Sequence, residues 1–263
     1  MKKHHGTLLM LIFIALAGTI SGCATSANNA PSMQAADFTA DSAEGFDNED
    51  FDLLEEEYAE QMVEVSDPLE PFNRVMFGFN DILYYWIVKP GCEVYCGVVP
   101  EPAQIGIRNF FSNITMPARY INCLLQGKGE GADTELRRFA INTTIGILGF
   151  GDPALDEYGL EPVHEDLGQT LAVHGFGDGF YLVLPLLGPS NVRDSVGRIG
   201  DWFLNPVSYV EPTEAAYGIT ALRYTNSSSL RLGEYEAFKS MTVEPYIALR
   251  ESYTQYRTKQ IQE

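Results

Sequence analysis

Apolar and polar positions between residues 67 and 90 recur with the 3.6-residue period of an α-helix. Asp67, Pro68 and Glu70 suit the beginning of that helix, because Asp can cap it, Pro fits its first position and Glu fits its third. The polar face contains Glu70, Asn73, Arg74, Asn80, Asp81 and Tyr84, and the apolar face contains Leu69, Phe72, Val75, Met76, Phe79, Leu83, Trp86 and Ile87. Two interpretations fit this pattern: an ordinary amphipathic helix with its polar face in water, or a helix with its apolar face toward lipid and its polar face toward a lumen.

Further helical patterns follow at short intervals after Pro100. The predicted segments are 102–111, 117–126, 133–148, a short helix near 165–173, 190–203, 213–238 as one long or two shorter helices, and 245–260. Segment 133–148 is apolar on more than one side in its second half, which indicates a helix that is deeply buried or touches a membrane. Strand signals are few, so the sequence predicts an all-α fold.

The segment from Gly175 to Asp194 departs from this helical periodicity. A glycine-rich loop runs into eight largely apolar residues, 180–187, which Pro185 interrupts and Gly188-Pro189 closes. A membrane-spanning helix needs about 20 apolar residues, so this run cannot cross a bilayer. A proline in its middle is also unusual for a buried strand. The sequence therefore predicts a short, irregular apolar segment that depends on its neighbours.

Residues 1–22 have the features of a lipoprotein signal peptide. Lys2 and Lys3 precede a 13-residue, mostly apolar run that is too short to span a membrane. The run ends at Ile20-Ser21-Gly22-Cys23, which resembles a bacterial lipobox and predicts lipidation of Cys23. Two or more acyl chains would anchor the protein stably, at about 0.8 kcal/mol for each buried CH₂. Ala24 leaves the outer membrane as the expected destination, and an ordinary signal peptide with an incidental cysteine is the alternative.

Charge divides the rest of the chain into a linker and a domain. Residues 24–66 contain 12 Asp or Glu and no Lys or Arg, which predicts a disordered, extended tether. We therefore expect a lipidated acidic linker over 23–66 and a folded domain over 67–263. A short acidic helix at 51–65 that docks on a basic partner is the alternative for part of the linker. The net charge of the chain, −19, argues against a nucleic-acid partner, whose phosphates need a basic surface.

No catalytic or metal-binding pattern stands out, so we predict a protein that is not an enzyme and needs no cofactor. The chain has no GxSxG, HExxH, P-loop or CxxC motif, and its four histidines show no ligand spacing. The triplet His164-Glu165-Asp166 is explained more simply as an acidic helix start than as an acid–base cluster. Gly175, Gly177 and Gly179 fit a flexible hinge better than a phosphate-binding loop, because no strand-to-helix context surrounds them.

Four blocks of the sequence together carry a family resemblance: 67–80 (DPLEPFNRVMFGFN), 122–127 (NCLLQG), 138–151 (RFAINTTIGILGFG) and 174–194. With them the chain resembles the MlaA (VacJ) family of outer-membrane lipoproteins. The resemblance implies a ring of helices in the periplasm-facing leaflet of the outer membrane, enclosing an amphipathic channel. It also implies a place beside a trimeric porin. The implied activity is removal of mislocalised phospholipid from the outer leaflet to a soluble periplasmic carrier, MlaC, which maintains lipid asymmetry.

Helical phase and the family block together suggest roles for individual residues. We expect Asn73, Arg74, Asn80 and Asp81 to line the channel. Met76 and Phe79 should pack beside it, Gly78 should permit close approach of a neighbour, and Gly175, Gly177 and Gly179 should form a gate. The apolar run 180–187 would be a wall of the ring, since eight helical residues cover about 12 Å of a hydrocarbon core about 30 Å thick. A secreted lipid hydrolase and a purely structural, porin-associated lipoprotein are the alternative functions.

Cys92, Cys96 and Cys123 are not required by the family pattern, and the periplasm is oxidising. A bridge between Cys92 and Cys96, one helical turn apart, would constrain little. A bridge from either residue to Cys123 would join two helices, so the sequence allows an intramolecular disulfide without requiring one.

Overall fold

The structure, a computed structural model, describes residues 65–262. The predicted signal peptide, the lipidation site Cys23 and the acidic linker up to residue 64 lie outside the described residues. Within 65–262, no helix combines the length and the apolar character needed to cross a membrane.

The described part of the chain is mostly helical, which confirms the predicted fold class. The helices are α1 (Glu70–Leu83), α2 (Lys89–Val98), α3 (Glu101–Ile114), α4 (Met116–Leu125), α5 (Gly129–Thr144), α6 (Pro153–Asp156), α7 (Leu167–Val173), α8 (Val192–Leu204), α9 (Thr213–Ser229), α10 (Glu234–Met241) and α11 (Pro245–Gln262). A 3₁₀ turn, Pro206–Tyr209, links α8 to α9. The predicted segment 213–238 thus divides into two helices, and Gly233 at their junction has a positive φ of 97°.

The first helix does not end at Pro90 as the sequence suggests. It passes into a π-helical turn, Tyr84–Val88, and continues as α2. The backbone N–H of Lys89 donates to the carbonyl of Tyr84, five residues back, in place of the usual four. This wider turn accommodates a proline at the point where its ring would clash with a regular α-helix.

The apolar run around Pro185 forms a β-hairpin, not a helix. Strands β1 (Tyr181–Leu184) and β2 (Gly188–Asn191) pair antiparallel, with Leu184 opposite Gly188. Pro185 therefore lies in the turn and not within a strand, and Leu186 adopts a positive φ of 66°. The expectation of eight helical residues here is wrong, because the turn absorbs the proline that made a strand look unsuitable.

The hydrophobic core is small and lies where the hairpin contacts α1 and α11. Tyr181 and Val183 of β1 and Tyr246 of α11 are its buried members. Partly buried side chains pack around them, namely Val65, Met76, Phe77, Ile247 and Tyr253. The hairpin is thus held between the first and last helices of the domain.

Candidate functional site

The polarity of the domain is inverted relative to that of an ordinary soluble protein. Among the described residues, buried polar and charged side chains outnumber buried hydrophobic ones. The apolar face of α1 and the π-turn is largely exposed, with Trp86 80% and Val75 63% exposed. Exposed apolar side chains also occur on α5 and its following turn and on α8, and they include Ile145, Ile147, Leu148, Val196, Ile199 and Trp202. An apolar surface of this extent marks a site that contacts membrane or another protein.

The polar face of α1 packs against the rest of the domain instead. Asn73 is fully buried, and its amide donates to the Tyr181 carbonyl at 3.0 Å and accepts from the Val183 N–H at 2.9 Å. Asn80, two turns later, donates to the Leu184 carbonyl at 2.9 Å and accepts from the Leu186 N–H at 2.8 Å. The two asparagines therefore bind the free edge of β1 and the turn that follows it.

These contacts separate the two asparagines that the sequence assigns to a channel. Asn73 has no exposed surface, so it lines no open space in this structure and instead holds the hairpin. Asn80 is only partly buried and borders a cavity beside the hairpin. Its assignment as a lining residue stays a prediction.

Arg74 and Asp81 lie in ion pairs at the two ends of the same helix. Arg74 binds Glu70 at 2.8 Å and Glu244 at 3.0 Å, and its guanidinium lies 4.5 Å from the centre of the Tyr246 ring. Asp81 accepts from Lys239 at 2.7 Å and from the Tyr235 hydroxyl at 2.9 Å. Both side chains keep partial access to solvent, so they remain candidates for contact with a polar ligand.

A cavity of about 240 Å³ lies between α1, the hairpin and the last three helices. Its walls are mainly apolar, and the polar groups that reach it are Asn80 and the tyrosines Tyr84, Tyr224 and Tyr235. The apolar lining consists of Phe77, Leu83, Val88, Val183, Leu186, Leu187, Gly188, Pro189 and Leu249. The Tyr224 hydroxyl donates to the Leu186 carbonyl at 3.3 Å, so the hairpin turn is joined to α9 across the cavity. An apolar space with a few polar groups suits a hydrocarbon chain attached to a polar group.

A charged network at the other end of the hairpin joins α7, α8 and α11. Arg257 of α11 binds Asp194 at 2.7 Å and both oxygens of Asp166, at 2.7 and 2.9 Å. The Tyr253 hydroxyl donates to Asp194 at 2.5 Å. Burial acts to raise the pKa of Asp194, but the hydrogen bonds from Arg257 and Tyr253 outweigh it and leave that pKa below its usual value.

Other buried charges in the described part of the chain are likewise paired. Glu135, fully buried on α5, binds Arg119 of α4 at 2.7 Å. Arg138 forms two hydrogen bonds to Asp152, at 3.0 and 2.7 Å. Burying an ion is costly unless it is paired and hydrogen-bonded, and these contacts satisfy that requirement.

The glycines assigned to a gate lie in an exposed loop, residues 175–179, between α7 and β1. A Cβ atom at Gly175 or Gly177 would meet nothing within 4 Å, whereas one at Gly179 would lie 2.8 Å from Val192. The backbone and side chain of Asp178 both bind Arg193, which fixes the end of the loop. Gly78 does not fulfil its expected role, because no neighbour lies within 4 Å of a Cβ built there. Met76 is partly buried beside the core and Phe79 is exposed.

The three cysteines of the domain are free thiols, so none of the considered disulfides is present. Cys92 is buried with its Sγ 3.7 Å from the Thr225 carbonyl of α9, whereas Cys123 lies against α5, with Gly131 close to its sulfur. The two buried thiols therefore pack against different helices. Burial raises the pKa of the Cys123 thiol to about 11.

Several residues of the site could not be identified from helical phase alone. Asp166, Asp194 and Arg257 lie far apart in sequence and meet only in the folded domain. Local signals exist for two of them: Asp166 forms a capping box with Gln169 at the start of α7, and Asn191 caps α8 beside Asp194. The helix predicted over 190–203 is capped by Asn191, one residue after its predicted first residue, Ser190.

A sequence model for the family described as MlaA lipoprotein matches residues 65–260. The chain is 34% identical over 197 residues to the intermembrane phospholipid transport system lipoprotein MlaA of Escherichia coli, covering 72% of this chain and 76% of that protein. It is 34% identical over 201 residues to an uncharacterised protein of Rickettsia conorii, covering 76% and 80% of the two chains.

A solved structure from work on the structural basis for maintenance of bacterial outer membrane lipid asymmetry has a similar fold. The TM-score is 0.62 at 31% sequence identity, and the match covers 74% of this chain and 99% of the other.

Proposed function

Because the chain belongs to the MlaA lipoprotein family, we propose that it removes mislocalised phospholipids from the outer leaflet of the outer membrane and passes them to a soluble periplasmic carrier. The named relative in Escherichia coli belongs to an intermembrane phospholipid transport system, and the similar solved structure concerns outer-membrane lipid asymmetry. The carrier would be MlaC, and the protein would work beside a trimeric porin, as the resemblance implies.

The inverted polarity of the domain is the observation that carries this proposal. A phospholipid headgroup cannot cross hydrocarbon cheaply, because unpartnered charge is costly to bury there. A domain with an apolar exterior can lie among lipid tails, and its polar interior can offer the headgroup a wet path. The exposed faces of α1 and α8 supply the apolar exterior, and the partly accessible polar groups Arg74, Asn80 and Asp81 supply polar contacts for the headgroup.

The cavity beside Asn80 is where an acyl chain would be accommodated during transfer. In this proposal Asn80, Asp81 and Arg74 contact the headgroup, while Met76 and Phe79 pack beside the path. The loop with Gly175, Gly177 and Gly179 would open and close it. Lipidation of Cys23 would hold the protein on the periplasmic face of the outer membrane, and the acidic linker would act as a spacer.

The alternative functions receive less support from the described residues. Glu165 of the triplet considered for hydrolysis binds Lys128 at 2.7 Å, and Asp166 is held by Arg257 at 2.7 Å. These carboxylates are therefore committed to ion pairs. A purely structural role gives no reason for a cavity of about 240 Å³ next to an exposed apolar face.

The test measures outer-leaflet phospholipid in a strain that lacks the protein. We expect accumulation there, reversed by the wild-type chain but not by Leu249→Trp, which would fill the cavity. Leu232→Trp, at a partly exposed position outside the cavity, is the matched control and should restore asymmetry. Unchanged outer-leaflet phospholipid in the deletion strain would favour the structural role. Ester hydrolysis by the purified protein, lost on His164→Ala, would favour the enzyme.

A further inference from the structure

A second cavity, of about 110 Å³, lies at the end of the hairpin near the charged network. Polar residues make up most of its lining, whereas the cavity beside Asn80 is lined mainly by apolar ones. We call it the polar cavity, and its polar lining includes Ser66, Asp178, Tyr181, Asn191, Thr254 and Arg257.

The hydroxyl of Tyr181 has no hydrogen-bond partner in the part of the chain that the structure describes. Tyr181 is 2% exposed and lines the polar cavity. Its backbone is fixed, because its N–H donates to the Ser66 carbonyl at 2.9 Å and its carbonyl accepts from Asn73 at 3.0 Å. Its ring packs against those of Tyr246 and Tyr253, with ring centres 6.3 and 6.2 Å away. A buried hydroxyl held in place without a partner is costly, and a ligand in the cavity would satisfy it.

The charged side chains that line the polar cavity are already compensated. Asp178 is paired with Arg193, and Arg257 binds Asp166 and Asp194, each at 2.7 Å. A buried charge needs a partner of opposite sign, so an anion would require an uncompensated cation here and an ammonium group an uncompensated carboxylate. The lining therefore favours a neutral ligand.

Hydroxyl groups from three segments of the chain meet at the polar cavity. Tyr181 of β1 supplies the unpartnered one, and Ser66, before α1, supplies another. Thr254 Oγ1 of α11 donates to the Arg250 carbonyl at 2.9 Å, which leaves its lone pairs able to accept. Because a hydroxyl both donates and accepts, a ligand that carries several hydroxyls can pair with all three.

We propose that the polar cavity binds a neutral polyol group the size of glycerol, recognised by the Tyr181 hydroxyl. An engineered cavity of about 150 Å³ in another protein holds benzene, and glycerol is somewhat smaller than benzene. A cavity of about 110 Å³ therefore suits glycerol. The site is separate from the apolar cavity, so it goes beyond the proposed function.

Two sources carry this chemistry: free glycerol and the terminal glycerol of phosphatidylglycerol. Val183 of β1 and Leu249 of α11 line the apolar cavity. Tyr181 and Tyr253, the next residues on the same faces of that strand and that helix, line the polar cavity. A lipid could therefore place its acyl chain in one cavity and its headgroup in the other. The lipid source rests on the proposed function, whereas the polyol site does not.

The first arm of the experiment measures lipid preference. Phosphatidylglycerol and phosphatidylethanolamine with identical acyl chains compete for the purified full-length lipoprotein, in a detergent that carries no sugar or polyol group. The wild type should retain phosphatidylglycerol preferentially. Tyr181→Phe, which removes only the hydroxyl, should reduce that preference about fivefold, the effect of losing one neutral hydrogen bond. Thr254→Val should reduce it in the same direction.

Matched controls are available for both variants. Tyr217→Phe removes a hydroxyl from a tyrosine that is 72% exposed. Thr220 is an exposed residue of α9 whose hydroxyl donates to the carbonyl one turn back, as that of Thr254 does, so Thr220→Val is the second control. Neither control should change the lipid preference.

The second arm uses glycerol alone and measures saturation transfer from the protein to glycerol by NMR. The wild type should give a signal that Tyr181→Phe weakens. Without any polyol, the unfolding temperature of Tyr181→Phe should equal or exceed that of the wild type, because the hydroxyl has no partner in the described chain to lose. A lower unfolding temperature would show that the hydroxyl bonds within the protein and would overturn the proposal.

The remaining outcomes decide between the sources and against the site. A lipid preference that depends on Tyr181 would identify the headgroup as the source. Saturation of glycerol that depends on Tyr181, without a change in lipid preference, would support the site and identify the free polyol. The same lipid preference and the same glycerol signal in the wild type and Tyr181→Phe would overturn the site. Accumulation of outer-leaflet phospholipid in the deletion strain would then still support the proposed function.

Discussion

The side chain of Asn73 supplies Val183 with the hydrogen bond that a neighbouring strand would otherwise give. Its Oδ1 accepts the Val183 N–H at 2.9 Å, and its Nδ2 donates to the Tyr181 carbonyl at 3.0 Å. A helix side chain thus completes the free edge of a two-stranded sheet in a place from which water is excluded. We therefore expect that loss of the Asn73 side chain destabilises the hairpin.

Substitution of Asn73 by Ala should destabilise the domain by about 2–4 kcal/mol, because two buried backbone groups lose their partners. Urea unfolding followed by fluorescence measures the change. Asn80→Ala is the control, since the groups it frees lie near the exposed hairpin turn and can bind water. Its cost should be about 1 kcal/mol. Equal losses for the two variants would contradict the structural role given to Asn73.

Acid should weaken the network around Asp194. The pKa of Asp194 is lower in the folded domain than in the unfolded chain, so its ionised form favours the folded state. That contribution is complete above the unfolded pKa, about 4, and is lost as the pH falls below it toward the folded pKa. Thermal unfolding between pH 3 and pH 6 measures the change. The Asp194→Asn variant should be less stable than the wild type at pH 6, and its stability should vary less between pH 3 and pH 6. The same pH dependence in both proteins would contradict the role given to Asp194.

The cysteines of the domain should react with maleimide at very different rates. Cys96 is exposed, whereas Cys92 and Cys123 are buried and have raised thiol pKa values. A thiol reacts as its thiolate, so burial slows the two latter residues. Peptide mass spectrometry after brief labelling should find Cys96 modified and the other two unmodified until urea unfolds the protein. Rapid labelling of Cys123 in the folded state would show that α4 and α5 separate readily.

The contact between α7 and α8 depends on glycine at position 197. A Cβ atom added at Gly197 would lie 2.4 Å from the backbone nitrogen of Gly168, closer than any stable contact. Gly197→Ala should therefore force the helices apart and cost about 2 kcal/mol, within the range for overpacked sites. Gly218→Ala on α9, where nothing lies within 4 Å, is the control. It should be neutral or stabilising, because Ala favours helix, and thermal unfolding compares the two.

Sequence periodicity predicts the helices well and their surroundings poorly. The apolar and polar faces of α1 are identified correctly, and the family resemblance is confirmed by the matching family model. Periodicity could not decide which face is buried, because both interpretations produce the same pattern. The answer depends on the hairpin, whereas the sequence predicts only a short, irregular apolar segment that Pro185 interrupts.

Local sequence patterns also do not predict which polar residues of the site pair with each other. Helical phase puts Tyr84 on the polar face of its helix but gives no sign of its partner, Glu236 of α10, which accepts from the Tyr84 hydroxyl at 2.7 Å. In the sequence, Asp194 is only the last residue of a family block, and no local pattern points to Arg257. Such contacts depend on which helices pack against each other, and a single sequence does not reveal those packing partners.

The polar interior has a consequence for how the domain responds to temperature. Unfolding normally exposes apolar surface, and the hydration of that surface produces the heat-capacity increase that curves protein stability with temperature. Here most large apolar side chains of α1 and the π-turn are exposed before unfolding begins. The heat-capacity increase per residue should therefore fall below the usual value of about 12–15 cal/mol/K, and the free energy of unfolding should curve less with temperature than that of an ordinary domain of this size.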